Sequence, residues 1–304
     1  MRYIKTNNKN FTWYDIASPN REEFTAFASK FKFHPLNIED CLTTNQRSKV
    51  ERFENYVFAT IRVPIYQRKI KQFAIEEIEI FVANDFVVTV HSGHITSYLS
   101  FLENINKHQT ARDNFMKSPQ FLFYSILNHL IKSYLPILDH ISEDIDDIEE
   151  NIFKGEEKKM VEEISIVLRN IIDLRKVMGP MKEFSDSLLN INHYFFSREL
   201  KIFLRDFKAE IDRVTSVLEN HYETLKALHE TNESLMSHSL ADRMKTLTVI
   251  SVILLPLSLI AGFFGVNMEN IESLFGNSSL WILLGFMAII TIVTLIFFKL
   301  KKYF

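Results

Sequence analysis

The residues best placed to do chemistry in this chain share one side of an apolar segment near its C-terminus. Positions three and four residues apart lie on the same face of a helix, and this face is smaller and more polar than its neighbours. Its members are Met244, Leu247, Ser251, Leu255, Ser258 and Gly262. Small residues permit close packing of membrane helices, so one interpretation is a seam between helices. The other is a pore lining, in which the serines form polar rings and the methionine and leucines form apolar gates.

A Gly-x-Asn triplet, Gly265-Val266-Asn267, follows this face where the apolar segment ends. Alone the triplet is a weak signal, because a helix C-cap followed by a turn explains it equally well. Its place at the end of one of two C-terminal apolar segments makes the signal more specific.

The two apolar stretches, residues 247–265 and 280–298, are each long enough to cross a bilayer as a helix. We therefore predict a transmembrane hairpin, about 246–265 and 280–298, in a C-terminal region of residues 246–304. The loop between the helices carries no Lys or Arg, whereas basic residues flank the hairpin. Those that follow it are Lys299, Lys301 and Lys302.

The charges beside the two stretches predict how the hairpin is oriented. Under the positive-inside rule both termini lie in the cytoplasm and the loop lies outside, as expected of a multi-pass protein of the inner (plasma) membrane. The basic tail then meets anionic lipid at the inner membrane surface.

The rest of the chain divides into two cytoplasmic regions. Residues 1–117 alternate strand and helix signals and predict a mixed α/β domain. Its predicted strands are 11–16, 56–66, 74–83 and 86–92, with a tight turn at Asn84-Asp85, and its predicted helices are 21–32 and 34–43. Residues 118–245 have helical periodicity. Their predicted helices are 118–155 with a bend at Pro136, 157–177, 181–190, and one from 197 through 245 to Pro256.

The last of these helices has no Gly or Pro from 197 to 245 and would be about 70 Å long at 1.5 Å per residue. A helix of this length usually packs against copies of itself or against neighbouring helices, so we expect an oligomer.

Composition and motifs exclude several classes of function. The net charge of −3 and the lack of a basic stripe argue against nucleic-acid binding. The single cysteine, Cys41, fits a reducing cytosol, and the N-terminus lacks the apolar core of a signal peptide. No nucleophile–base pair, phosphate loop or zinc-finger spacing is present, so we do not expect an enzyme.

The chain resembles the CorA-type magnesium transporters. The string MKTLTVISVILLPLSLIAGFFGVNME (244–269) is similar to that family's first membrane helix and its Gly-Met-Asn signature. HPLNIEDCLTTNQRSKVERFENYVFATIRV (34–63), LRNIIDLRKVMGPMKE (168–183) and the basic tail KLKKYF (299–304) resemble further parts of the family in the same order. The likeness therefore covers nearly the whole chain.

The resemblance implies an α+β membrane protein that forms a funnel-shaped homopentamer. Each subunit would have an N-terminal αβα domain, long stalk helices and two C-terminal transmembrane helices. The implied function is channel-like influx of Mg²⁺, and also of Co²⁺ and Ni²⁺, without a resident cofactor. Gly265, Val266 and Asn267 match the selectivity filter. Because Mg²⁺ gives up water reluctantly, a ring of neutral amides would select it through its hydration shell.

Acids near the two ends of the implied pathway have two interpretations each. Glu269 and Glu272 either concentrate cations at the outer mouth through their field or are ordinary solvated loop acids. Glu230 matches an acidic stalk position and either faces the pore or is solvated.

Asp206 matches the stalk half of an inter-subunit regulatory metal site, but Gln67 replaces the acid of the other half. Closure controlled by metal is therefore expected to be weak or differently built.

Two alternatives to magnesium transport stay open at this point. Val266 stands where the magnesium signature has Met, and related branches with other middle residues include zinc transporters. One alternative is therefore a zinc transporter of the same architecture, with or without proton coupling. The other is a membrane-anchored sensor or scaffold that does not conduct. The sequence does not determine the physiological ion or the gating trigger.

Overall fold

The structure is a computed structural model that describes residues 2–7, 11–44, 46–67, 72–191, 197–266 and 279–301. The chain divides into an N-terminal unit, Met1–His229, and a C-terminal unit, Glu230–Phe304. The predicted boundaries at residues 117 and 245 stay a prediction.

A six-stranded mixed sheet forms the centre of the N-terminal unit. Its strands are β1 (Arg2–Asn7), β2 (Thr12–Ala17), β3 (Lys49–Arg52), β4 (Val57–Gln67), β5 (Gln72–Val82) and β6 (Phe86–His91). They lie in the order β1-β2-β6-β5-β4-β3, and only the β2–β6 pair is parallel. The predicted turn at Asn84-Asp85 is confirmed, because Val82 pairs with Val87 and the Ala83 N–H donates to the Phe86 carbonyl at 3.0 Å.

Within the described residues, seven helices precede the two helices nearest the C-terminus. They are α1 (Arg21–Ser29), α2 (Pro35–Asp40), α3 (Thr96–Lys107), α4 (Gln109–Phe115), α5 (Pro119–Lys132), α6 (Leu135–Phe153) and α7 (Glu157–Asn190). They are followed by α8 (Arg198–Val266) and α9 (Ser279–Leu300).

One face of the sheet packs on α1 through an aromatic core. Ile16, Phe58 and Phe81 from alternating strand positions meet Phe24 and Phe27 of α1 in one cluster of buried side chains. Side chains alternate across a strand, so the residues between them face the opposite layer.

The opposite face of the sheet packs on α3 through a buried polar network. The Trp13 Nε1–H donates to Thr89 Oγ1 at 3.0 Å, and the Thr89 hydroxyl donates to Asp15 Oδ1 at 2.6 Å. The hydroxyl of Tyr98 in α3 donates to the same carboxylate. Helices therefore cover both faces of the sheet, as an αβα domain requires.

Two predicted helix breaks are wrong, because α7 continues through Gly179-Pro180 and α8 continues through Pro256. A proline inside a helix costs about 3 kcal/mol. In α7 buried side chains on both sides offset this cost, since each contributes about 1.5–3 kcal/mol. They are Val177, Met178, Met181 and Phe184. In α8 the proline lies in an apolar stretch, where membrane helices tolerate proline.

The single helix predicted for residues 118–155 is instead two helices, α5 and α6, which meet at Ser133-Tyr134. Pro136 lies in the first turn of α6, where its missing N–H costs no hydrogen bond. The predicted start at Ser118 is confirmed, since its hydroxyl oxygen accepts from the Phe121 N–H at 3.1 Å.

Among the residues that the structure describes, two stretches of helix are long and apolar enough to cross a membrane, Pro119–Phe153 and Glu199–Gly262. In Pro119–Phe153, 56% of the most apolar part is buried, so this stretch belongs to the core of the N-terminal unit. In Glu199–Gly262, only 6% of the most apolar part is buried. Leu284–Leu300 is a shorter apolar helix. The two predicted membrane helices thus fall in α8 and α9.

Candidate functional site

The candidate pore face lies on uninterrupted helix in α8. Met244, Leu247 and Leu255 are 54%, 57% and 71% exposed, and Ser251 and Ser258 are exposed as well. Of the neighbouring apolar side chains, Ile250, Leu254 and Leu259 are also exposed, whereas Val249 is buried. Burial within one chain therefore does not distinguish a pore lining from a helix seam, and further copies of α8 are needed for either.

The hydroxyl of Ser251 has a defined hydrogen-bond direction. It donates to the Leu247 carbonyl at 2.8 Å, one turn earlier on the helix. With its single proton used in this way, the oxygen presents lone pairs and acts as an acceptor. The water shell of a cation points its hydrogens outward, so a ring of such oxygens suits a hydrated cation better than an anion.

The proposed filter lies at the end of α8. Gly265 and Val266 form its last two residues, so the helix reaches the triplet without a break. Asn267, Glu269 and Glu272, together with Lys302 of the tail, lie outside the described residues.

The basic tail begins in the last turn of α9. Lys299 lies in that turn, and Lys301 follows the helix and is exposed. A cation at this position interacts favourably with the negative end of the helix dipole.

The stalk acid Asp206 lies on the N-terminal part of α8 and is exposed. Its Oδ2 accepts a hydrogen bond from the Tyr124 hydroxyl at 3.3 Å. Burial, and next the carboxylate of Asp206, raise the pKa of Tyr124 to about 12. Tyr124 therefore remains a hydrogen-bond donor at physiological pH and orients the carboxylate of Asp206, whose other lone pairs stay available.

The remaining predicted regulatory residues do not form a metal site with Asp206 inside one chain. Gln67 ends β4 and is exposed, and Glu230 is exposed on α8. Within the described residues, no group of three or more His, Cys, Asp or Glu side chains could hold a metal ion. A regulatory site that uses Asp206 would thus need ligands from a second chain.

Comparison with known proteins gives consistent matches along the chain. A family model described as "CorA-like Mg2+ transporter protein" matches residues 8–301. The cobalt/magnesium transport protein CorA of Thermotoga maritima is 27% identical over 293 residues, which are 96% of this chain and 83% of that protein. The complete structure of the CorA magnesium transporter from Methanocaldococcus jannaschii has the same fold, with a TM-score of 0.83 at 19% identity. That match covers 98% of this chain and 93% of the other.

A zinc transporter matches a smaller part of the chain. The zinc transport protein ZntB of Yersinia enterocolitica is 22% identical over 150 residues, which are 47% of this chain and 46% of that protein.

Proposed function

The chain belongs to the CorA-like Mg²⁺ transporter family, and on that premise we propose that it carries hydrated divalent cations, Mg²⁺ foremost, into the cell. The observation that carries the proposal is the family match over residues 8–301, which includes strands β2 to β6, α8 and α9. Co²⁺ and Ni²⁺ are the other expected cargo ions, and no resident cofactor takes part.

The pathway follows α8 of several identical subunits, which we take to be five, around a common axis. Gly265, Val266 and Asn267 form the outer filter, and the Asn267 amides hydrogen-bond the hydration shell. Below them the serine oxygens form polar rings between the apolar gates. Those ring and gate residues are Met244, Leu247, Ser251, Leu255 and Ser258.

Charged residues at both ends support this direction of flow. Glu269 and Glu272 attract cations to the outer mouth, and Lys299, Lys301 and Lys302 bind anionic lipid at the inner surface. With both termini in the cytoplasm, the membrane potential supplies about 2.3 kcal/mol per charge per 100 mV. This energy is doubled for a divalent ion, so no second energy source is required.

Regulation by cytosolic metal is expected at a contact between subunits. Asp206 and Glu230 are the candidate metal-binding acids of the stalk, and Tyr124 orients the first of them. Gln67 lacks a carboxylate, so internal Mg²⁺ is expected to close this pore only weakly.

Zinc transport is the second candidate function, and Val266 in the signature favours it. The extent of the matches favours magnesium, because the cobalt/magnesium transporter aligns with 96% of this chain and the zinc transporter with 47%.

Ion competition in proteoliposomes tests the proposal. Purified full-length protein should take up Mg²⁺, and Co²⁺ and Ni²⁺ should compete with it, because all three are divalent and hydrated. Uptake should not depend on an imposed pH gradient, since the membrane potential drives it. The proposal is wrong if Zn²⁺ uptake exceeds Mg²⁺ uptake and requires the pH gradient, or if no divalent ion crosses and the protein acts as a scaffold.

A further inference from the structure

A cavity of about 220 Å³ lies in the N-terminal unit, between the segment that follows α2 and the strands β5 and β6. Its walls carry several oxygen-bearing side chains. They include Thr43, Thr44, Glu77, Glu79 and Ser92. Carboxylate and hydroxyl oxygens are the ligands that hard cations such as Mg²⁺ prefer.

The sheet register places two of these acids on the face that packs against α1. Glu77 and Glu79 are two residues apart on β5, so they share a face with Phe81 of the aromatic core. On the neighbouring strand β4, Arg62 pairs with Glu77 and Thr60 pairs with Glu79. The two carboxylates thus lie in a layer that is otherwise largely apolar.

Two acids near the cavity, Glu77 and Asp40, face a basic side chain, whereas Glu79 does not. Glu77 faces Arg62 Nε at 3.8 Å, and Asp40 at the end of α2 faces Lys49 Nζ on β3 at 2.8 Å. Glu79 is only 4% exposed. Within the described residues, no group other than its own backbone amide forms a hydrogen bond or ion pair with the Glu79 carboxyl.

The other titratable groups at the cavity do not neutralise Glu79. The ring nitrogens of His91 on β6 are both engaged, Nδ1 by the Gly93 N–H at 3.0 Å and Nε2 by Asp15 Oδ2 at 3.4 Å. Burial raises the pKa of the Cys41 thiol well above its usual value, so the thiol stays neutral.

A neighbour of Glu79 has an unsatisfied polar atom in the core. The Thr60 hydroxyl, opposite Glu79 and fully buried, has no hydrogen-bond partner within the described residues. Buried polar groups in folded proteins almost always have partners, and exceptions often mark a site for an ion or water. A buried acid that borders a cavity large enough for a hydrated ion, with only its own backbone amide as a partner and this hydroxyl beside it, points to such a ligand.

We propose that this cavity binds one hydrated divalent cation, with Glu79 as the principal ligand and Glu77 and the nearby hydroxyls in contact with its water shell. A hydrated ion is required because the described residues contain no set of three acidic, His or Cys side chains for direct coordination. Mg²⁺ commonly keeps several waters and binds through one or two carboxylates. The proposal does not depend on the transport pathway.

A proton and the cation compete for the Glu79 carboxylate. Burial, and next the charge of Glu77, raise the pKa of Glu79 well above its usual value, so a proton competes with the cation for this carboxylate. Binding of the ion releases that proton to solvent. Affinity should therefore rise about tenfold per pH unit below the pKa of Glu79, as for other sites whose ligand must deprotonate.

Counting bound Mn²⁺ by electron paramagnetic resonance tests the site in the full-length protein. At mildly alkaline pH the Glu79→Gln variant should bind a single Mn²⁺ fewer per chain than wild type. The matched control is Asp85→Asn, which removes an exposed acid at the β5–β6 turn of the same sheet and should bind as wild type does. Ions bound elsewhere are common to all three proteins. Equal counts and affinities in wild type and Glu79→Gln would overturn the proposal.

The pH dependence gives a second readout that does not require the variant to fold. Wild type should lose the Glu79 ion as the pH falls and should release a proton as Mn²⁺ binds. Wild type that takes up all its Mn²⁺ without proton release contradicts the proposal. Because Gln is a neutral isostere of the protonated acid, Glu79→Gln without metal should melt no lower than wild type.

Discussion

Replacing Asn267 by alanine should slow Mg²⁺ uptake at least about tenfold, which corresponds to about 1.4 kcal/mol or more in the barrier to permeation. In the proposed filter the amide hydrogen-bonds the hydration shell of the ion, and a methyl group cannot. An ion that gives up water reluctantly would then meet an apolar ring. Initial rates of Mg²⁺ uptake into proteoliposomes, with size-exclusion profiles for assembly, measure the effect.

The matched control for this variant is Asn277→Ala, which removes an amide from the same loop outside the triplet. It should take up Mg²⁺ within about twofold of wild type, since substitutions away from a functional site usually have small effects. Unchanged uptake by Asn267→Ala, in protein that assembles normally, would show that the filter lies elsewhere. If wild type itself transports no Mg²⁺, the result supports the scaffold alternative instead.

Shortening Leu255 to alanine should increase basal Mg²⁺ flux about threefold or more, because an apolar constriction blocks ions by dewetting and a wider one stays wet. Leu255 is 71% exposed in the single chain, so its side chain is available to form such a constriction with its copies. The measurement is the basal Mg²⁺ flux into proteoliposomes at one fixed membrane potential, compared with wild type.

Leu254→Ala is the control for the gate. This variant makes the same chemical change one residue earlier in the chain. The Leu254 side chain is 54% exposed. Its side chain points about 100° away around the helix, so it lies off the pore face. Flux should match wild type in this variant. A gate assignment at Leu255 is contradicted if the two alanine variants raise flux equally or if neither does.

The strands of the N-terminal unit were predictable wherever side chains carried a strong pattern. The segments 56–66, 74–83 and 86–92 are rich in β-branched and aromatic residues, and each falls on a strand. β3 has four residues with three charges among them, too few for a pattern. The helix α3 was missed although Tyr98, Phe101, Leu102 and Ile105 have helical spacing and are buried.

Helix ends and breaks were predicted less well, since tertiary packing decides them. Pro180 predicts a helix break, but the buried side chains on both sides of it keep α7 continuous. The predicted end of α1 at Lys32 is three residues late, because Lys32 adopts a positive φ of 55°, which no helix can continue through.

The candidate site was predictable only where it depends on a helix face or a family motif. The helix that carries the candidate pore face, and its end at the triplet, could be predicted from the sequence, whereas the pore lining itself stays a prediction. The acids of the N-terminal cavity could not, because alternation of Glu77 and Glu79 with isoleucines predicts a solvent-facing row. In the structure α1, α2 and the segment after α2 cover that row, and the cover comes from residues far away in sequence.

Block by a thiol-binding metal tests most directly whether copies of α8 surround a water-filled path. Replacing the single cysteine by Cys41→Ala and adding Ser251→Cys places a thiol at the polar ring. Cd²⁺, which thiolates bind strongly, should then stop Mg²⁺ flux in proteoliposomes, while the control Ile250→Cys on the adjoining face should conduct as before. Ser251→Cys protein that conducts equally well with and without Cd²⁺ would contradict the pore, and would identify this side of α8 as a helix seam.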